Sequence, residues 1–108
     1  MKLLSFNCRR LASHTKKLDF HRLIEIERVD IIFLKETLRI IDQIILALES
    51  LISGWKFHAL DVCGRSGGIA FGFNPRVVNL LNIWGGNGLI GVDIFSSNLG
   101  RDLRLIKI

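Results

Sequence analysis

Residues 31–34 read Ile-Ile-Phe-Leu, four large apolar residues in a row directly after Asp30. A run of this kind predicts a strand buried on both faces, because a half-exposed strand would place a polar residue at every second position. Such a strand needs cover above and below and neighbours on its sides. The earlier stretch Leu3 to Phe6, with three apolar residues, predicts a second buried strand. Between the two, Phe20, Leu23 and Ile24 recur at helical spacing, while Lys16, Lys17, Arg22, Glu25 and Arg28 fall largely on the other faces. Ser13 and Thr15 both offer an N-cap side chain to that helix. Strand, helix and strand at this spacing form a βαβ unit, whose natural product is a pair of parallel neighbours.

A second apolar stripe follows. Ile41, Ile44, Ile45, Leu48, Leu51 and Ile52 share one helix face, and Gly54 is placed to stop the helix. From Trp55 the texture changes to short strand-like runs, WKFHAL, GGIAFGF, RVVNLLNIW, LIGVDIF and LRLIKI, separated by Gly, Asn and Pro turns. The expected fold is therefore α/β, a βαβα unit followed by a β-meander, forming part of a two-layered α/β sandwich. No linker, repeat or low-complexity segment divides residues 1–108. The last run alternates cleanly up to Ile108 and would leave an apolar edge bare, so the expectation is an incomplete domain, part of something longer.

Composition narrows the class. The chain has 108 residues, of which 49% are apolar, enough for a modest single core and too many for a disordered tail. The longest weakly charged stretch, Val77 to Val92, is broken by Gly and Asn and does not read as a membrane helix. The N-terminus carries one Lys and too short an apolar run for a secretory signal, so the expected location is intracellular. Cys8 and Cys63 stand far apart with no CxxC spacing and read as reduced thiols, not as a disulfide or zinc framework. A net charge of +5 favours a polyanionic partner without requiring one. The cations Arg9, Arg10, Lys16, Lys17, Arg22, Arg28, Lys35 and Arg39 all lie in the first 39 residues. Gathered at one sheet edge they would steer a phosphate backbone; spread over a solvated helix they would do nothing.

Two residues combine position with chemistry. Asn7 ends the first predicted strand and Glu36 ends the second, and open α/β sheets keep their ligand sites at the carboxyl ends of parallel strands. A carboxylate beside a carboxamide supplies the hard oxygens that Mg²⁺ prefers, and this ion often takes only one or two protein carboxylates. The simpler reading is that Asn7 forms a turn and Glu36 opens the next loop or helix. Spacing alone leaves both open.

The segments KLLSFNCRRL and RLIEIERVDIIFLKET resemble the N-terminal half of the endonuclease/exonuclease/phosphatase superfamily, and most of all the endonuclease domains of plant non-LTR (LINE-type) retrotransposons. In that family the first strand ends in Asn-Cys-Arg-Gly and the second in Gln-Glu-Thr. Here they read Asn7-Cys8-Arg9-Arg10 and Lys35-Glu36-Thr37, and GRSGGIAFGFN resembles the family's Gly-Arg-Ser-Gly-Gly segment. The resemblance implies that Glu36 is a ligand of a catalytic Mg²⁺ (or Mn²⁺) and that Asn7 hydrogen-bonds within the same metal and phosphate site. It implies hydrolysis of a phosphodiester, with DNA as partner (RNA or another phosphodiester being the wider class). Arg9, Arg10, Arg65, Ser66 and Gly67 would contact the phosphate backbone. A nuclear location is compatible with it.

Departures from the family pattern matter as much. Arg10 stands where the family has Gly, Lys35 where it has Gln, and Phe6 where Trp is common. Lys35 could pair with Glu36, weaken a metal there by repulsion, or face solvent. The family's later motifs, a Tyr, a Gly-Asp-Phe-Asn segment and a closing Asp-His pair, have no counterpart, and the chain contains no Tyr. His14, His21 and His58 do not replace them, and Asp61 and Asp93 read as turn or strand-edge residues. The glycines of CGRSGG read first as a hairpin turn, since neither a P-loop GK[ST] nor a following helix is present. The expectation is a chain weakly active or inactive alone, with a non-catalytic basic nucleic-acid-binding module or a retrotransposon-derived relic as the rival.

Overall fold

A computed structural model describes residues 1–7, 13–36, 38–62 and 67–108. Cys8, Arg9, Arg10, Thr37, Cys63, Arg65 and Ser66, which carry several of the expectations above, lie outside the described residues. The described elements are β1 (Leu3–Asn7), α1 (His14–Glu27), β2 (Ile31–Glu36), α2 (Leu38–Leu51), β3 (Lys56–Asp61), β4 (Gly68–Phe73), β5 (Val78–Gly86), β6 (Leu89–Ser96) and β7 (Arg101–Lys107).

Ile31, Ile32 and Leu34 are 0% exposed and Phe33 2%, as an uninterrupted apolar run requires. Alternation splits the four between two cores. Ile32 and Leu34 join Phe20, Ile24, Ile41, Ile44, Leu48 and Ile52 beneath the helices. Ile31 and Phe33 point the other way, into a cluster with Phe71, Ile90, Val92 and Ile94.

β1 and β2 run parallel, so the βαβ expectation holds. The second half, however, is not one meander on one sheet. β3 and β4 form a hairpin that turns back into the first sheet, where β4 pairs antiparallel with β2 and the order is β1-β2-β4-β3. Only β5, β6 and β7 make the second sheet, in sequential order. The chain therefore supplies strands to both layers of the expected sandwich. All six residues of β4 are buried, which suits a central strand covered on both faces.

Local signals explain where the elements begin and end. Ser13, not Thr15, caps α1: its Oγ accepts from the Lys16 N–H at 3.2 Å. Gly54, at φ 86°, follows α2 in the left-handed region that glycine enters freely. The β4–β5 connection is built on Asn74, whose carbonyl accepts from Val77 and Val78 and whose Oδ1 accepts from the Arg76 N–H. No helix among the described residues is long and apolar enough to cross a membrane.

Candidate active site

In a βαβ unit the strands share a direction, so their carboxyl ends and the N-termini of the helices that follow meet at one edge. Asn7, at the end of β1, and Glu36, at the end of β2, lie at that edge on adjacent strands. The first turns of α1 and α2 bring Lys16, Lys17 and Arg39 to the same end, and Lys35 is already there. Four of the early cations thus gather at one edge, the arrangement that would steer a phosphate. Arg22 lies farther along α1 beside Asp19 at 3.8 Å, and Arg28 caps the opposite end of that helix. Gly67 sits at this edge as well, where its carbonyl accepts from the Val62 N–H at 3.2 Å to close the β3–β4 hairpin.

The pairing register refines this picture. Asn7 is opposite Lys35, not Glu36, and Glu36 is opposite Gly68. Register partners share a face and consecutive residues alternate. Asn7 and Lys35 accordingly fall on the face of Ser5 and Phe33, toward the second sheet, whereas Glu36 falls in line with Leu34, toward the helices. The register makes Lys35, which is exposed, the cross-strand neighbour of Asn7. A ligand touching both Asn7 and Glu36 belongs beyond the strand ends, where the two faces meet. Asn7 is exposed and Glu36 half-buried.

The helix-side row continues across the sheet as Glu36, Gly68 and Asp61. Asp61 is thus a second carboxylate on the same face and edge, two strands away with a glycine between. Only the register reveals it, because no sequence spacing links residues 36 and 61. The three histidines are dispersed. His14 opens α1, His21 Nε2 meets Glu25 at 2.9 Å, and the His58 ring stacks on Phe73 at 6.2 Å.

The donors at the carboxyl ends of β1 and β2 are one carboxylate, Glu36, and one carboxamide, Asn7, with Asp61 two strands away. No group of three or more His, Cys, Asp or Glu side chains able to hold a metal occurs among the described residues. Hard oxygens in small number fit Mg²⁺, which retains several of its waters, and do not fit the four protein ligands of a structural zinc site.

Asp93 departs from its strand-edge reading. It lies in β6, the central strand of the second sheet, on the outward face. Arg104 donates to it from Nε at 2.8 Å and from Nη2 at 3.2 Å. The same guanidinium lies 5.0 Å from the centre of the Trp84 ring. These hydrogen bonds hold the Asp93 carboxyl below its ordinary value and raise Arg104 in turn.

No protein-family profile matches the sequence, and no curated protein matches it. Solved structures do. D. rerio TDP2 in complex with a single-strand DNA product superposes with a TM-score of 0.66 at 16% identity, over 95% of this chain and 43% of that one. A mannosyl-6-phosphatase of Bacteroides thetaiotaomicron gives 0.67 at 10% identity, over 96% and 49%. An endonuclease/exonuclease/phosphatase family protein of Leptotrichia buccalis gives 0.63 at 13% identity, over 100% and 54%. The chain spans about half the length of these structures and has the fold of that half.

Proposed function

We propose that this chain carries the metal and phosphate side of a phosphodiester-hydrolysing site, with Asn7 and Glu36 at its centre and DNA as the substrate. The observation that carries the reading is the parallel β1–β2 pair, which brings Asn7 and Glu36 to adjacent strand ends among Lys16, Lys17, Lys35 and Arg39. Fold alone would not carry it, since one fold hosts many chemistries. The neighbours named above include a protein bound to single-strand DNA and a sugar phosphatase, so phosphate-ester chemistry is what they have in common.

Glu36 would hold a Mg²⁺ through its carboxylate, and Asn7 would hydrogen-bond to the phosphate or to a water beside it. The ion, when bound, would neutralise phosphoryl oxygens and lower the pKa of attacking water. The cations of the edge would draw in the polyanion, which costs nothing in specificity and depends on salt. The Asn7-Cys8-Arg9 and Glu36-Thr37 motifs support the finer reading, a DNA-nicking endonuclease of the plant LINE type, with Arg9, Arg10, Arg65, Ser66 and Gly67 on the backbone.

The test is an amide ¹⁵N–¹H spectrum of the chain titrated with Mg²⁺, paired with nicking of supercoiled plasmid. Shifts centred on Asn7 and Glu36 that vanish in Glu36→Gln support the metal role. Nicking that survives Glu36→Ala overturns it. The second reading, a non-catalytic nucleic-acid binder, draws on the net charge of +5 and the cation-lined edge. It is favoured by steeply salt-dependent binding with neither metal response nor cleavage.

A further inference from the structure

At the end of the first sheet opposite Asn7 and Glu36, three connections converge. The α1–β2 link brings Arg28 and Asp30, the α2–β3 link Trp55, and the β4–β5 link Asn74 and Arg76. With the last turns of α1 and α2 they line a cavity of about 480 Å³. Hydrogen bonds pin these walls together. The Asn74 N–H donates to the Asp30 carbonyl at 3.0 Å, and the Arg28 and Val29 N–H groups close the end of α1 on the carbonyls of Glu25 and Ile24. The cavity lies between the two helices, at the ends of β2 and β4, which are the inner strands of their sheet. Anything that lengthens either sheet joins at an edge strand, outside these walls.

The acids and the amide of the lining already have donors. Glu25 Oε1 meets His21 Nε2 at 2.9 Å, Asp30 Oδ2 accepts from the Lys2 N–H at 3.4 Å, and Asn74 Oδ1 accepts from the Arg76 N–H at 3.1 Å. The guanidinium groups of Arg28 and Arg76 have no hydrogen bond or ion pair among the described residues, although two carboxylates share the lining with them. The same holds for Trp55 Nε1. Both arginines are exposed, at the mouth of a cavity whose walls include the buried Ile24 and Ile52.

Arg28 is an unusual residue for its place. It follows α1 at φ 53°, in the left-handed region that glycine enters freely and a long side chain does not. The negative end of the α1 dipole accounts for a cation at Arg28, but not for a second one at Arg76, in the turn between β4 and β5.

We propose that this cavity binds a small phosphate monoester, with its phosphate between Arg28 and Arg76 and its organic part against Trp55, Ile24 and Ile52. Two guanidinium forks present more N–H groups than the two oxygens of a carboxylate can use. A phosphate monoester offers three oxygens and up to about two negative charges, one for each arginine. The volume falls in the range of pockets for small organic ligands, beyond the needs of a bare phosphate. The length of β2, on the order of 17 Å, separates this site from the Asn7–Glu36 edge, so neither reading rests on the other.

Phenyl phosphate is the probe, titrated without metal into the ¹⁵N-labelled 108-residue chain. Amide shifts should centre on residues 28–30, Asn74 and Arg76, together with the Trp55 indole N–H, while Asn7, Glu36 and the Trp84 indole stay in place. Phenyl phosphate should bind about tenfold more tightly than inorganic phosphate, because its ring leaves water for the apolar wall. Arg28→Gly suits the left-handed turn and retains the fold, and Arg76→Gln alters an exposed turn; each should weaken binding by about tenfold or more. Lys35→Gln, at the other end of the sheet, should bind as the wild type does. An unmoved spectrum, shifts centred on the Asn7–Glu36 edge, equal affinity for inorganic phosphate, or binding that survives both arginine substitutions overturns the proposal.

Discussion

Lys35 is the register partner of Asn7, across the parallel β1–β2 pair, and not the lateral neighbour of Glu36. Adjacent in sequence, Lys35 and Glu36 fall on opposite faces of the pleat. This separates the effects of the two side chains.

Lys35→Gln should therefore weaken binding of a single-stranded oligonucleotide and lower the slope of log affinity against log salt by about 0.7, one phosphate contact's worth. Mg²⁺ affinity, read from the amide titration, should stay as it was. If the substitution instead strengthens Mg²⁺ binding with the salt slope unmoved, Lys35 acts on Glu36 and the separation by face is wrong.

Asp93 and Arg104 provide a pH signature. The folded carboxyl lies below its ordinary value of 3.8, chiefly because Arg104 hydrogen-bonds to its charged form. A depressed folded value means that the pair's stabilisation is present above the unfolded value and is lost as pH falls through the folded one. Carboxyl ¹³C NMR should show Asp93 titrating below the ordinary aspartate value, and Arg104→Gln should return it toward that value. The stability difference between wild type and Arg104→Gln should shrink on acidification. A difference that grows as pH falls would contradict the assignment.

Gly72→Ala should destabilise the fold by about 1–3 kcal/mol, as overpacking of a filled core does. Gly72 sits between Ile32 and Phe57 in register, and a Cβ there would lie 2.6 Å from Phe57 Cε1 and 2.9 Å from Ile32 Cγ1. Denaturant unfolding measures the change. An unaltered midpoint would mean that the Phe57 ring moves aside freely.

Ser13→Ala should cost about 1 kcal/mol, since one orphan N–H of α1 loses its acceptor. Thr15→Ala, inside the first turn and exposed, should cost much less. Thermal or denaturant melts of the two variants compare the positions directly, and equal losses would refute Ser13 as the cap.

Sequence periodicity by itself determined the elements. Ile31 to Leu34 had to be a doubly buried strand because no polar residue interrupts it, and the stripe from Ile41 to Ile52 had to be a helix face. The βαβ order alone put Asn7 and Glu36 at one edge, because strands joined through a helix run parallel. What only the tertiary structure decided is partnership. The β3–β4 hairpin pairs back onto β2, since β2 has a free edge and an apolar face on each side that a sequential meander would leave uncovered. The register that separates Lys35 from Glu36 and aligns Asp61 with Glu36 across Gly68 belongs to pairs of strands. Periodicity states which side chains need cover; it carries no information on which other segment provides it.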